Sequence, residues 1–226
     1  MKFLLHCIFQ YDGTDTPREC GPEVTIVRRH DLAVATSPWR GGESPLDVAR
    51  MLAYEHTTAV LHATRTVVPL RFGCVMENQS QILLWLEERG AEFEKLLGRL
   101  EGLDEMGLQL WSEVPPAQEL LPREPMPTPP GARYLAAARR RHASLTPLEE
   151  GWAHHIRGSL EGFYVRQKSE ARPAPEGRLV SLHFLVAKAA AANFRERVRR
   201  LVLPGGMKSM VSGPWPPYNF VDHADQ

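Results

Sequence analysis

The side chains able to do chemistry are thinly spread in this sequence. Arg71 stands in Thr66-Val-Val-Pro-Leu-Arg-Phe-Gly-Cys-Val-Met76, and His56 lies upstream of it. An enzyme built on His56 and Arg71 would need a nucleophile or an acid beside the histidine, and the sequence offers none. His154 and His155 are neighbours, so on a helix they diverge by about 100° and cannot share a metal. Pro204-Gly-Gly-Met-Lys-Ser209 lacks the four-residue spacer and the Gly-Lys pair of a phosphate loop, and it precedes a predicted strand where a helix is required. No Gly-x-Ser-x-Gly elbow is present. Neither a catalytic constellation nor a metal or cofactor site is predicted.

The elements that would position these residues follow from patterning. In the Arg71 stretch, Val68, Leu70, Phe72, Cys74 and Met76 alternate with Val67, Pro69, Arg71, Gly73 and Val75. That pattern predicts one strand with an apolar face and a mixed face carrying a fixed cation. Pro69 belongs at the start or edge of that strand, and Gly73 leaves space beside Arg71. Upstream, Ser44-Pro-Leu-Asp47 reads as a helix start, and the helix should run to about Ala63. Its apolar stripe is Ala49, Leu52, Ala53, Val60 and Ala63; His56 falls inside it and is expected to be buried.

Elsewhere, Phe3–Phe9 reads as a strand buried on both faces. Val24–Val27 and Leu32–Ala35 are strands around an Arg28–Asp31 turn. Asn78–Gln81 caps a helix whose buried stripe is Ile82, Leu86, Phe93, Leu97 and Leu100, with a kink or break at Gly90. Met106, Leu108 and Leu110 point inward from the next strand. The order β-β-β-α-β-α-β predicts a ferredoxin-like first lobe, with helices on one face of a mainly antiparallel sheet. Seven prolines between Pro115 and Pro130 read as a stiff linker. Beyond it, a helix capped by Thr146 with Pro147 at its first position buries Leu148, Trp152, His155, Ile156 and Ser159. Strands Phe163–Gln167 and Leu179–Val186, a helix Ala189–Leu201 and a strand Met207–Ser212 follow. The fold class is therefore α+β in two lobes, residues 1–114 and 131–226, joined by linker 115–130.

Composition narrows the function. With 27 basic and 27 acidic residues the net charge is zero, which argues against a partner bound by phosphate neutralisation, so no nucleic acid is expected. No apolar run approaches the ~20 residues of a membrane span, and no secretory signal is evident. Cys7, Cys20 and Cys74 lack C-x-x-C spacing and read as reduced thiols of a cytoplasmic protein. The tail Gly213-Pro-Trp-Pro-Pro-Tyr-Asn-Phe220 stands out. Its three prolines predict an extended, polyproline-like run with Trp215 and Tyr218 on one side. Either it covers the core of the second lobe, or it presents a rigid aromatic ridge to a partner.

Two stretches together resemble the gas vesicle protein F/L family (GvpF/GvpL). Val68-Pro-Leu-Arg-Phe-Gly73 is similar to its PLRFG strand, and Gly213–Phe220 to its GPWPPYSF signature, with Asn219 in place of Ser. Leu32–Ser37, His56 and Gly162-Phe-Tyr164 also match the family pattern, so the resemblance spans nearly the whole chain. It implies two α+β lobes and a non-enzymatic role in building gas vesicles. The implied partners are the small hydrophobic main shell protein (GvpA-type) and other accessory proteins, without cofactor, nucleic acid or membrane. The partner-contact candidates it nominates are His56, Pro69, Leu70, Arg71, Phe72, Gly73, Gly213, Pro214, Trp215, Pro216, Pro217, Tyr218 and Phe220. The rival readings are a small-molecule-binding regulatory module with ferredoxin-like lobes and an enzyme using His56 and Arg71.

Overall fold

Strand β1 (Lys2–Gln10) is buried continuously from Leu4 to Phe9, which requires cover on both of its faces. The computed structural model describes residues 1–13, 17–39, 48–111, 145–174, 177–203 and 207–221. Contacts divide the chain into two units, 1–105 with 214–226 and 106–213. This grouping differs from the sequence division in assigning the tail to the first unit. The helix start Ser44–Asp47, the linker 115–130 and residues 204–206 of Pro204–Ser209 lie outside the described residues.

In the first unit, β2 (Thr25–Arg29) and β3 (Leu32–Trp39) form a hairpin whose turn holds His30 at φ +50°. β3 pairs antiparallel with β1, and β1 also pairs antiparallel with β4 (Val67–Pro69) and β5 (Val75–Met76). The order is β2-β3-β1-β4, with β5 beside β1. Helix α1 (Val48–Thr64) covers the face bearing Cys7, Phe9, Ala33, Ala35 and Val67, where its Leu61 joins their cluster. The remaining helices are α2 (Gln79–Glu88) and α3 (Gly90–Leu100). At the head of α3, Gly90 lies against Leu32, on the opposite alternation of β3. Helices therefore sit on both faces, not on the one face expected. This is why β1 tolerates no polar alternation.

The α2–α3 break falls at Arg89–Gly90, and Ile82, Leu86, Phe93, Leu97 and Leu100 are all buried as patterned. Asn78 caps α2 by accepting the Gln81 N–H at 3.0 Å.

The α1 stripe differs from the sequence reading. The buried residues are Tyr54, Thr57, Thr58, Leu61 and His62, spaced i, i+3, i+4, i+7, i+8. Leu52 is 64% exposed and His56 is exposed. The hydropathy pattern misled because the inward face is semi-polar, and its hydroxyls are satisfied locally. Thr58 bonds the Tyr54 carbonyl at 3.2 Å, and Thr57 the Ala53 carbonyl at 3.0 Å.

The second unit takes up β6 (Leu103–Trp111) from Met106 onward. Helix α4 (Pro147–Ser159) follows, then β7 (Arg166–Ala174), β8 (Gly177–Ala187), α5 (Ala191–Arg199) and β9 (Lys208–Trp215). Its sheet order is β7-β8-β6-β9. The strands outrun their sequence limits: the Pro/Gly-rich stretch between Gln167 and Leu179 is largely ladder, which Pro173 allows because it sits on an edge strand. Met106, Leu108, Leu110, Val180, Leu182, Phe184 and Val186 build the core with Phe194 and Val198 of α5.

Thr146 and Glu149 form a capping box at the head of α4, with Pro147 in the first turn. The inward residues of α4 are Glu149, Ala153 and Ile156, while Leu148 is 60% exposed. A glutamate takes a core position because Arg178 clamps it, Nε to Oε1 at 2.7 Å and Nη2 to Oε2 at 3.1 Å.

Candidate functional site: a clamped turn and a buried tail anchor

The predicted single strand around Arg71 is two short ones with a turn between them. Pro69 pairs with Cys7 and Val75 with Leu4, so the five residues Leu70–Cys74 stand opposite only Leu5 and His6. The chain leaves the ladder after Pro69 and returns through Gly73, whose φ of +95° suits glycine alone. The Cys74 N–H closes the turn on the Arg71 carbonyl at 3.1 Å, while Leu70 N–H to His6 O and Leu5 N–H to Cys74 O, both 2.9 Å, tie its ends to β1. Arg71 is thereby exposed at the tip, and Phe72 is half-buried.

The turn is held by residues that the sequence reading did not single out. His6 is the extra residue of a β-bulge in β1, between the pairs Leu5–Thr36 and Cys7–Ala35. Its Nε2 lies 3.0 Å from Ser37 Oγ and its ring stacks on Tyr54 at 4.7 Å. The Tyr54 hydroxyl lies 2.7 Å from the Leu70 carbonyl and 3.1 Å from that of His6, and so donates at the root of the turn. Phe72 meets Tyr54 and Trp39 edge-on, at 5.3 and 6.3 Å, and Arg50 lies over Trp39 at 4.7 Å. Burial pushes the His6 imidazole down to about 4 and raises the Tyr54 hydroxyl far above its ordinary value. Both are neutral, as a clamp requires. The signal for Tyr54 was the i, i+3, i+4 spacing of Tyr54-Thr57-Thr58-Leu61-His62; the bulge at His6 left none.

His56 does not face Arg71. Its Nε2 lies 3.1 Å from the carbonyl of Glu19, inside a 3-10 turn, Arg18–Cys20, that Thr57 also reaches by donating to Cys20 O at 3.3 Å. It braces a loop. The buried histidine of α1 is His62, whose Nε2 lies 2.8 Å from Asp104 Oδ1.

The tail is not one polyproline run. Gly213, Pro214 and Trp215 end β9, Pro216 and Pro217 are buried, and Tyr218–Phe220 is a 3-10 turn. Trp215 remains 46% exposed, whereas Phe220 and Val221 are each 1% exposed. Burial raises the pKa of the Tyr218 hydroxyl. Asn219 bonds Glu105 through both its backbone and its side-chain amide. The tail thus anchors in the first unit, and so does not cover the second lobe, the first of the two alternatives the sequence left open. The turn at Pro217 separates Trp215 from Tyr218.

Among the described residues no group of three or more His, Cys, Asp and Glu side chains could hold a metal, and no helix is long and apolar enough to cross a membrane. The fold and its distinguishing residues define a two-unit α+β protein whose motif side chains pack and present surface. The chain belongs to the GvpL/GvpF family: the family's model, described as gas vesicle synthesis protein GvpL/GvpF, matches residues 3–222. It is 25% identical over 232 aligned residues to gas vesicle protein L of Streptomyces sp. (strain CB03234), covering 91% of this chain and 86% of that protein. Its fold is that of the crystal structure of GvpF from Anabaena sp. PCC7120, with a TM-score of 0.69 at 16% identity, over 97% of this chain and 95% of that one. The crystal structure of GvpF from Microcystis aeruginosa gives 0.64 at 14% identity, over 97% and 98%.

Proposed function

We propose that this protein is an accessory or minor structural component that binds the small hydrophobic shell protein and supports gas vesicle assembly in the cytoplasm. It performs no catalysis of its own in this reading. The observation that carries it is Arg71, which stands exposed at the tip of a turn whose root is held by Tyr54 and β1, in a chain of this family. A side chain held out on a rigid turn loses little entropy when a partner takes it. Close in sequence to Arg50, α1 also exposes Val48 (65%), Met51 (41%) and Leu52 (64%), apolar surface suited to a hydrophobic subunit. Trp215 is the second candidate anchor, by its exposure.

The test is co-purification of the tagged full chain with the small shell protein of the same host. Retention should fall for Arg71→Ala and for Leu52→Asp while both variants melt like the parent chain. Equal retention by parent and variants would place the contact elsewhere. No retention by the parent chain would overturn shell binding and turn attention to the other accessory proteins.

A further inference from the structure

The second unit contains a groove that the shell-contact reading does not use. It encloses about 550 Å³ between α5 and β9, walled by Arg195, Val198, Arg199 and Leu201 on one side and by Met210 and Val211 on the other. β9 ends the order β7-β8-β6-β9, so among the described residues no strand pairs with its outer side. An edge strand of this kind can take another chain beside it.

Charge and spacing say what fits. Between Arg195 and Arg200 the chain carries arginines at 195, 197, 199 and 200 and one acid, Glu196, which lies 3.8 Å from Arg199 and 2.9 Å from Arg200. Arg195 is moored at one end of the groove by donating to the Gly213 carbonyl. Arg195 and Arg199 are i, i+4 neighbours, about 6 Å apart on one helix face. Alternate residues of a strand recur on one face about every 6.8 Å. Carboxylates at positions i and i+2 of an extended peptide therefore match the spacing of Arg195 and Arg199 along α5. An apolar residue at i+4 reaches Leu201 and Met210, the latter 48% exposed.

We propose that this groove binds an extended acidic segment of a partner protein, added as a strand to the free edge of β9. Two alternate carboxylates meet Arg195 and Arg199, and an apolar side chain follows them into the groove. Main-chain bonds to β9 would supply affinity, and the helix face the selectivity. The inference goes beyond the shell-contact reading and does not depend on it, since every residue used lies outside the Arg71 turn.

The experiment is fluorescence anisotropy on the full chain, with a labelled, end-blocked Thr-Glu-Thr-Glu-Thr-Leu-Thr peptide as probe. The Glu peptide should bind about tenfold or more tightly than its Lys-for-Glu counterpart, and Arg199→Glu should reverse that preference. N-methylation of alternate peptide amides should abolish binding in one of the two registers, because strand addition needs those donors. Equal binding of the Glu and Lys peptides, an unmoved Arg199→Glu variant, or full binding by both N-methylated peptides would overturn the proposal. So would a flat titration. A β9-to-β9 dimer in sedimentation that excludes the peptide, or displacement of the peptide by a single-stranded oligonucleotide, would assign the groove to another occupant and equally overturn it.

Discussion

Asn219 holds Glu105 with two donors. Its backbone N–H reaches Oε2 at 2.9 Å and its Nδ2 reaches Oε1 at 2.6 Å, across 114 residues of sequence. Glu105 is 4% exposed, so its carboxylate depends on such partners in place of water. Asn219 is thus a structural contact that closes the first unit.

Asn219→Ala should remove the side-chain bond, keep the backbone one, and cost about 1–3 kcal/mol in urea unfolding. Glu105→Ala should cost less in that background than in the parent chain, since only the backbone bond is left for it to remove. Additive losses in the double-mutant cycle would show that the bond is not the unit of stability.

The tail contains one anchor and one exposed ring. Phe220→Ala should destabilise by about 3–5 kcal/mol, as expected for a fully buried aromatic. Trp215→Ala, at 46% exposure, should leave the thermal midpoint nearly unchanged. A reversed ranking would mean that the tail is held by Trp215 and not by the 3-10 turn.

Tyr54→Phe removes the hydroxyl that meets the Leu70 carbonyl and should cost about 1–2 kcal/mol. Gly73→Ala meets no atom within 4 Å, so its cost comes from φ +95° alone, about 1–2 kcal/mol. Both should raise amide exchange at Leu70 and Cys74 selectively. Unchanged protection there would detach Tyr54 from the turn.

Burial lowers His6 from 6.5 to about 4, so between those values the unfolded chain takes up a proton that the folded chain refuses. Stability should therefore fall as pH drops from about 6.5 towards 4. His6→Phe keeps an aromatic ring to stack on Tyr54 and should flatten that slope, measured as urea midpoints at pH 7 and pH 5. Glu170, whose pKa is held low first by the His183 imidazole 3.7 Å away, loses its contribution only below the ordinary carboxylate range, and so does not enter the comparison of pH 7 with pH 5.

How far the sequence reached can be argued from single elements. Strands and helices with one strongly apolar face were legible: Met106-Leu108-Leu110, Val180–Val186, and the Ile82–Leu100 stripe with its break at Gly90. The motif octapeptide and Val68–Gly73 located the family. His56 and the α1 stripe went astray because hydropathy counts Thr57, Thr58 and His62 as solvent-facing. Their hydroxyls and ring find partners only once the helix lies on the sheet.

Local chemistry in the sequence determined where the chain stiffens, caps and alternates, since those effects act within a few residues. Pro69 and Gly73 already marked a place where a ladder could not run smoothly, and Thr146-Pro147 marked a helix start. Only the tertiary structure decided what those places do. The turn at Arg71 exists because β1 bulges at His6 and offers two residues opposite five, and the tail is anchored because Glu105 lies where Asn219 can reach it. Such pairings join residues tens to more than a hundred positions apart, where no local preference acts and packing alone selects the partner.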